Sequence, residues 1–212
     1  MEVIVRVRQR MNGAVESMRE SGIIYKVNYG VTIPELQQIA QPYKGDHDLA
    51  IRLFEEEIRE CKIIASMIDD PEKVTGDQID TWSEEFNNPE IVEQLCNNLL
   101  WKSDFALPRS FEWCLEEDAL LKKAGLLIAG HRASDSNVKD SVFEPYIYIV
   151  EDLAETEDEL VSNSAIYALR EIAKRSESLK DKVIQAADRM SASDFGIATW
   201  IGNQLLFELT EE

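Results

Sequence analysis

Apolar residues recur every three or four positions along most of the chain, which is the spacing that brings them to one face of an α-helix. Residues 48–70 show this spacing best. Their apolar positions are Ile51, Phe54, Ile58, Cys61, Ala65 and Ile68. Because the residue before a proline avoids the helical region, Pro71 marks the end of the segment. The pattern predicts one helix over 48–70.

Helix-start signals divide the rest of the chain. Thr75 and Gln78 have the spacing of a capping box, which predicts a short helix after them. Asn88 followed by Pro89 is typical of an N-cap and the first helical residue. The three-to-four spacing predicts further helices near 109–115, 117–131, 145–154, 157–175, 179–190 and 194–210.

Two segments have a mixed pattern. Residues 3–8 alternate between apolar and polar, and residues 146–150 are rich in β-prone side chains. Both continue into helical spacing, so we predict helices there, the first within an N-terminal helix over 1–25. Each short helix must bury its apolar stripe against neighbours. We therefore predict an all-α fold, an α-α superhelix of HEAT-like antiparallel helix pairs in a single curved solenoid domain over 1–212.

The composition excludes several kinds of protein. A chain of 212 residues can bury a sufficient core without disulfides or metal. Cys61, Cys96 and Cys114 match no zinc spacing, and His47 and His131 are isolated, so we predict buried reduced thiols, no metal and no cofactor. No apolar run approaches the roughly 20 residues of a membrane span, and the first residues lack a secretory signal. We expect a cytoplasmic protein with no membrane partner.

The charge is strongly acidic and unevenly spread. The chain has 41 Asp and Glu against 22 Lys and Arg, a net charge of −19. Residues 1–30 carry net +2, so the remainder carries −21. This argues against unspecific binding to nucleic acid or anionic membranes, although a local basic groove stays possible. The densest acidic run, over 151–159, is either a solvated face or turn, or a partner-binding patch.

Four segments form an ordered set along the chain. They are NYGVTIPEL over 28–36; DHDLA over 46–50 with IRECKIIA over 58–65 and IDDP over 68–71; YALREIAKR over 167–175; and WIGNQL over 200–205. In this order and spacing they resemble the bacterial DNA alkylation repair family, the AlkD-type alkylpurine DNA glycosylases. The resemblance covers nearly the whole chain from about residue 20. It implies a curved superhelix of HEAT-like helix pairs, in agreement with the periodicity.

The resemblance also implies a chemistry. In active members a concave basic face holds double-stranded DNA, and an aspartate beside two tryptophans helps to excise a cationic N-alkylated purine. The alkylated base is a good leaving group because it already carries positive charge, and the sugar becomes oxocarbenium-like. A carboxylate stabilises that charge or positions water, and aromatic faces add cation–π attraction.

This chain departs from the family at the positions of the chemistry. Pro89 stands where the family has its first tryptophan, and Glu93 where it has the catalytic aspartate. Tyr167 replaces the second tryptophan, and Lys122 with Lys123 falls near the phosphate-gripping arginine. Glu93 moves its carboxylate by about 1.5 Å, and a misplacement of about 1 Å can cost on the order of 100-fold in rate. The resemblance therefore implies an activity that is weakened or lost.

Each candidate residue has a structural alternative. Glu93 and Tyr167 are the candidate catalytic residues, expected to face one groove. The alternatives are a first-turn glutamate favoured by the helix dipole and a packing aromatic. The candidate DNA-binding residues, expected together on a concave face, are Lys122, Lys123, Arg170, Lys174 and Arg175. The last three could instead pair with the acidic run. The residues predicted to pack between helices are Trp82, Trp101, Trp113 and Trp200.

Two functions remain open from the sequence. One is an alkylpurine DNA glycosylase, weakened by these changes, that acts on cationic lesions in double-stranded DNA. The other is a non-catalytic HEAT-repeat scaffold that binds DNA structure or a protein partner. The net charge and the missing tryptophans favour the scaffold, whereas Glu93 and the basic cluster over 170–175 keep the glycosylase possible.

Overall fold

The computed structural model describes residues 2–156 and 158–210, and its regular structure is helical. Within these residues there is no β-strand, and an isolated bridge joins Val27 to Ile58. The all-α prediction is confirmed. The chain divides into two compact units, residues 1–105 and residues 106–212, each with its own buried core.

The first unit has seven α-helices among its described residues. They are α1 (Glu2–Arg8), α2 (Val15–Glu20), α3 (Ile33–Ala40), α4 (His47–Phe54), α5 (Arg59–Ile68), α6 (Gly76–Ser83) and α7 (Pro89–Asn98). Alternate helices α3, α5 and α7 pack side by side, as expected when helix pairs stack in layers. Leu36, Ile64 and Leu95, one from each of these helices, are fully buried between them and their neighbours.

The second unit has six α-helices among its described residues. They are α8 (Ala106–Cys114), α9 (Ala119–Arg132), α10 (Glu144–Ala154), α11 (Glu159–Ala173), α12 (Glu177–Ser191) and α13 (Gly196–Thr210). The consecutive helices α8 and α9, and α12 and α13, pack together, and so do the alternate helices α9, α11 and α13. Tyr146 is fully buried, and its hydroxyl lies 2.7 Å from that of Ser110.

The N-terminal segment forms two short helices where the sequence predicts one over 1–25. α1 ends at Arg8 and α2 begins at Val15. Between them the Asn12 side chain accepts a hydrogen bond from the Ala14 N–H at 2.9 Å, and the Asn12 N–H donates to the Tyr29 carbonyl at 3.0 Å. These bonds give the backbone an alternative to helical pairing.

The predicted helix over 48–70 is also wrong in one respect, because it is two helices. α4 ends at Phe54 and α5 begins at Arg59. The Val27 N–H donates to the Glu57 carbonyl at 3.2 Å, and the Arg59 N–H donates to the Val27 carbonyl at 2.9 Å. Tertiary pairing thus takes backbone groups that a continuous helix would use. The end at Ile68 agrees with the proline signal.

The other local predictions are confirmed. The Thr75 side chain accepts from the Gln78 N–H at 3.1 Å, and Asn88 accepts from the Ile91 N–H at 3.2 Å with Pro89 as the first helical residue. The six helices predicted after residue 105 occur with bounds shifted by three residues at most. No described helix has both the length and the apolar character needed to cross a bilayer.

The cysteines and tryptophans test the predicted core. All three cysteines are buried and free. Burial raises the pKa of Cys61 and of Cys114 to about 12, so these thiols stay protonated. Trp82 is buried and stacks on Phe54 with ring centroids 3.9 Å apart. The packing prediction is wrong for Trp200, whose side chain is 42% exposed.

Candidate nucleic-acid interface

The contact between α9 and α11 holds Tyr167, the candidate catalytic residue of the second unit. Tyr167 of α11 lies directly against α9 at Gly130. A Cβ at Gly130 would be 2.5 Å from Cε1 and 2.7 Å from Cδ1 of the tyrosine ring. Glycine inside a helix costs about 1 kcal/mol relative to alanine. Here the close approach of the ring explains why the chain has one.

Tyr167 is held by His131, the residue after Gly130. The Tyr167 hydroxyl lies 3.0 Å from His131 Nδ1, and the two rings meet edge to face with centroids 5.2 Å apart. Partial burial, together with the Glu171 carboxylate, raises the pKa of the Tyr167 phenol, while Arg170 acts in the opposite direction. The tyrosine is therefore neutral and half-buried.

Two cations of α11 and its C-terminal end lie beside this tyrosine. The Arg170 guanidinium is 5.6 Å from the Tyr167 ring centroid. Arg170 Nε lies 3.1 Å from Glu171, and its Nη1 lies 3.4 Å from Glu208 of α13. Lys174 Nζ lies 2.7 Å from the same Glu171 oxygen. Two cations thus face two carboxylates, and the cluster has no net charge.

The charges in this cluster hold one another ionised. Partial burial acts to lower the pKa of Arg170, but the Glu171 and Glu208 carboxylates outweigh it and raise the pKa. Partial burial acts to raise the pKa of Glu171, but Lys174 and Arg170 outweigh it and lower the pKa. A phosphate that binds Arg170 must therefore compete with carboxylates already in place.

Lys122 and Lys123 do not form a basic pair on the surface. Lys123 is only 6% exposed, whereas Lys122 is half-buried. Nine residues separate Lys122 from His131, which is about 180° around an ideal helix and about 13 Å along it. Lys122 and the Tyr167 contact therefore lie on different faces of α9.

Arg175 has a structural role that the sequence does not reveal. Its side chain is 8% exposed and pairs with Asp140 at 3.0 Å. It also donates to three backbone carbonyls, and its guanidinium lies 4.4 Å from the Phe143 ring centroid. The accepting carbonyls belong to Ala133, Asp135 and Val138. Arg175 thus ties down the loop between α9 and α10, and this corrects the expectation that it contacts phosphate.

The first unit holds the other candidate, Glu93, on α7. Glu93 is half-buried in the second turn of the helix, whose start is capped by Asn88. Pro89 fills the first helical position and offers no aromatic face. Glu93 belongs to the first unit and Tyr167 to the second, so the expectation that they face one groove stays a prediction.

A buried ion network supports the start of α7. Glu90 accepts from Arg59 Nε at 2.7 Å and from Arg59 Nη2 at 2.6 Å. Arg59, which is 2% exposed, also contacts Glu60 and donates to the Val31 carbonyl at 2.9 Å. Burial and the Glu90 carboxylate raise the pKa of the Tyr25 phenol, whose hydroxyl reaches Asn88. These groups are all hydrogen-bonded, so the network positions α7 rather than offering a free site.

The structure therefore brings together some predicted residues and separates others. Tyr167, Arg170 and Lys174 form one cluster, while Lys123 and Arg175 are buried elsewhere in the second unit. The contacts of His131 with Tyr167 and of Glu208 with Arg170 cannot be seen in the sequence, because helix packing brings together residues 36 and 38 positions apart. Gly130, next to His131, was the one sequence signal of this contact, since a glycine inside a helix can mark a close approach of another side chain. In the described part of the chain, no three His, Cys, Asp or Glu side chains are grouped as a metal site requires.

Comparisons with known proteins place this geometry in context. The family model described as DNA alkylation repair enzyme matches residues 10–195. A solved structure described as a new family of proteins related to the HEAT-like repeat DNA glycosylases, with affinity for branched DNA structures, matches with a TM-score of 0.79 at 17% identity. The match covers 96% of this chain and 92% of that one and shows a shared HEAT-like fold, as predicted. No curated protein matches the sequence.

Proposed function

The chain belongs to the DNA alkylation repair enzyme family, and from that premise we propose that it binds branched or otherwise distorted DNA, with base excision weakened or lost. The observation that carries the proposal is the pair Arg170 and Lys174 beside the half-buried ring of Tyr167. The affinity for branched DNA described for the protein of similar fold supports the same substrate class.

The chemistry of the cluster suits this substrate. Arg170 can form paired hydrogen bonds with a phosphate, and Lys174 adds a second cation one turn later. The Tyr167 ring offers a face on which an unstacked base at a branch point can lie. Phosphates of several strands come close together at a branch. A local pair of cations therefore meets a higher density of phosphates there than on a linear duplex.

The same cluster predicts weak binding that depends strongly on salt. Arg170 and Lys174 are paired with Glu171 and Glu208, so DNA must displace these carboxylates. The net charge of −19 adds repulsion at low ionic strength. A cytoplasmic location, where buried reduced thiols are stable, belongs to this proposal.

A binding titration tests the proposal. We would compare a four-way junction, a fork and a linear duplex of equal length at several salt concentrations, with wild type, R170A and K139A. Lys139 is exposed and has no ion-pair partner among the described residues, so K139A removes the same charge elsewhere. We expect R170A to weaken junction binding about tenfold and to reduce the salt slope by about one. Equal effects of R170A and K139A would contradict the proposed interface.

Excision of cationic alkylpurines is the second candidate function, and the carboxylate retained at Glu93 favours it. Single-turnover release of 7-methylguanine from duplex DNA tests it, with wild type, E93Q and the triple variant P89W/E93D/Y167W. Under the main proposal, wild type and E93Q both stay at background. The triple variant should release more base, because it restores the aspartate and both aromatic faces, and replacing Pro89 costs little stability. Release by wild type that E93Q abolishes would establish the glycosylase instead.

A further inference from the structure

A pocket with an aromatic wall lies between α11 and α13 in the second unit, on the part of α11 that precedes Tyr167 and Arg170. Its volume is about 410 Å³. The residues that line it are Glu159, Ser162, Asn163, Gly196, Ile197 and Trp200. Glu159 and Asn163 are four residues apart on α11 and therefore share a helix face. Ile197 and Trp200, three residues apart, form the facing wall on α13.

The pocket presents three side chains that the protein itself does not use. Trp200 is 42% exposed, although the sequence predicts that it packs between helices. Within the described part of the chain, its indole N–H has no acceptor, the Glu159 carboxylate has no cation, and the Asn163 amide has no hydrogen-bond partner. An aromatic face, an anion and an amide thus converge on one space.

The surroundings of the pocket are acidic. None of its described lining residues is a lysine or arginine. A second pocket, which the start of α13 lines through Ala198, contains Arg189, but Glu151 accepts from that guanidinium at 2.7 and 3.0 Å. Glu155 also lines this second pocket and is exposed. Part of the acidic run over 151–159 therefore faces this end of the unit; Glu157 lies outside the described residues.

We infer that the pocket of α11 and α13 binds an arginine side chain from a basic segment of a partner protein. A guanidinium can lie flat on the Trp200 indole while it pairs with the Glu159 carboxylate. A further N–H can donate to the Asn163 carbonyl oxygen, and Ile197 can contact the methylene stem. The planar fork of arginine fits this set better than the compact ammonium of lysine.

The charge of the pocket selects this occupant over a nucleic acid. A stacked nucleobase would also use Trp200, but its phosphates would come close to Glu159 with no cation in the lining to bind them. A basic peptide gains from the same carboxylate. The proposed contacts use neither Tyr167 nor Arg170, so variants of the pocket and variants of the proposed DNA interface change different residues.

Peptide titration by calorimetry at about 0.1 M salt tests the inference. The probes are an arginine-rich nonapeptide, a lysine peptide of equal length and charge, and a thymidine oligonucleotide. We expect the arginine peptide to bind more tightly than the lysine peptide, and W200L and E159Q each to weaken it about tenfold. Two matched controls, F207A and D181N, should leave binding unchanged. Phe207 is an exposed aromatic on α13 outside the pocket, and Asp181 is an exposed acid on α12.

Two results would overturn the inference. If E159Q and D181N weaken the arginine peptide equally, the peptide binds the acidic surface in general and not the pocket. If the oligonucleotide binds in a manner that W200L abolishes while the arginine peptide does not bind, the pocket takes a nucleobase. Circular dichroism of each variant before titration keeps a folding defect distinct from lost binding, and the probe comparison on wild type needs no variant.

Discussion

At the scale of single residues, two arginines five positions apart have different roles. Arg175 is almost fully buried and joins Asp140 and three backbone carbonyls, whereas Arg170 is a third exposed and pairs with two carboxylates at the surface. Arg175 is a buried guanidinium with several hydrogen bonds, whose removal leaves backbone carbonyls unpaired and is costly, whereas Arg170 forms surface pairs, whose loss is cheap. The distinction cannot be seen in the sequence, where both belong to one basic cluster.

We therefore expect R175A to lower the free energy of unfolding by about 3 kcal/mol, because three backbone carbonyls lose their donor. R170A should lower it by less than about 1 kcal/mol. Urea denaturation followed by circular dichroism measures both, and an unchanged urea slope would show that the difference is one of stability. If R170A proves as destabilising as R175A, the structural role assigned to Arg175 alone is wrong.

Asp140, the partner of Arg175, gives a prediction for pH. Hydrogen bonds from Ser176 and Arg175 hold the pKa of Asp140 below its ordinary value of 3.8. A carboxylate whose pKa is lowered by folding stabilises the protein above the pKa of the unfolded state, and this contribution is lost as the pH falls through the folded pKa. D140N should therefore be less stable than wild type near neutral pH.

The difference in stability between wild type and D140N should stay constant down to about pH 5 and shrink below about pH 4. Denaturation midpoints of both proteins across this range measure the gap. D188N is the control, because Asp188 is exposed and its side chain has no ion-pair partner among the described residues. A gap that widened in acid would contradict the assignment.

At the scale of helices, a glycine sets how closely α12 and α13 approach. A Cβ at Gly202 would lie 2.4 Å from Ser191 N, 2.6 Å from the Ala187 carbonyl oxygen and 3.0 Å from the Met190 carbonyl carbon. All three are backbone atoms, so no side chain can rotate away. We expect G202A to destabilise the protein by about 2 kcal/mol, because overpacking outweighs the better helix propensity of alanine.

The matched control for this prediction is G13A. No atom lies within 4 Å of a Cβ at Gly13, and its backbone does not require glycine. G13A should leave the thermal midpoint unchanged or raise it slightly. A G202A protein as stable as wild type would mean that α12 and α13 can separate at no cost.

The helices could be predicted from the sequence wherever local signals decide them. The caps at Thr75 and Asn88 act within one turn, so their helix starts are visible in the pattern. The break between α4 and α5 is not, because it depends on Val27, some thirty residues earlier in the chain. Apolar periodicity continues through this break, because Ile58, which lies between the two helices, is also buried.

At the scale of the whole molecule, the candidate site was predicted only in part. Family resemblance led to Tyr167 and Arg170, which do lie together. It also grouped Lys123 and Arg175 with them, although both are buried. A position in the sequence does not reveal whether a basic side chain is buried. Whether a basic residue is available to DNA depends on its acidic neighbours, and Glu208 comes from a helix 38 residues away.

Acidic residues can limit DNA binding either by pairing directly with Arg170 or by repelling DNA through the net charge, and two variants distinguish these effects. E208Q and D188N both change the net charge from −19 to −18. Glu208 contacts Arg170, whereas Asp188 is an exposed residue in the last turn of α12 with no ion-pair partner among the described residues. The Debye length is about 30 Å at 0.01 M salt and about 8 Å at 0.15 M.

At low salt both variants should therefore bind junction DNA more tightly than wild type. At 0.15 M only E208Q should keep its advantage, on the order of threefold, because it frees a guanidinium from its direct partner. Fluorescence anisotropy with a labelled junction measures both. Equal gains at 0.15 M would show that general repulsion, and not the pairing of Arg170, limits binding, and Arg170 would then lose its place at the centre of the interface.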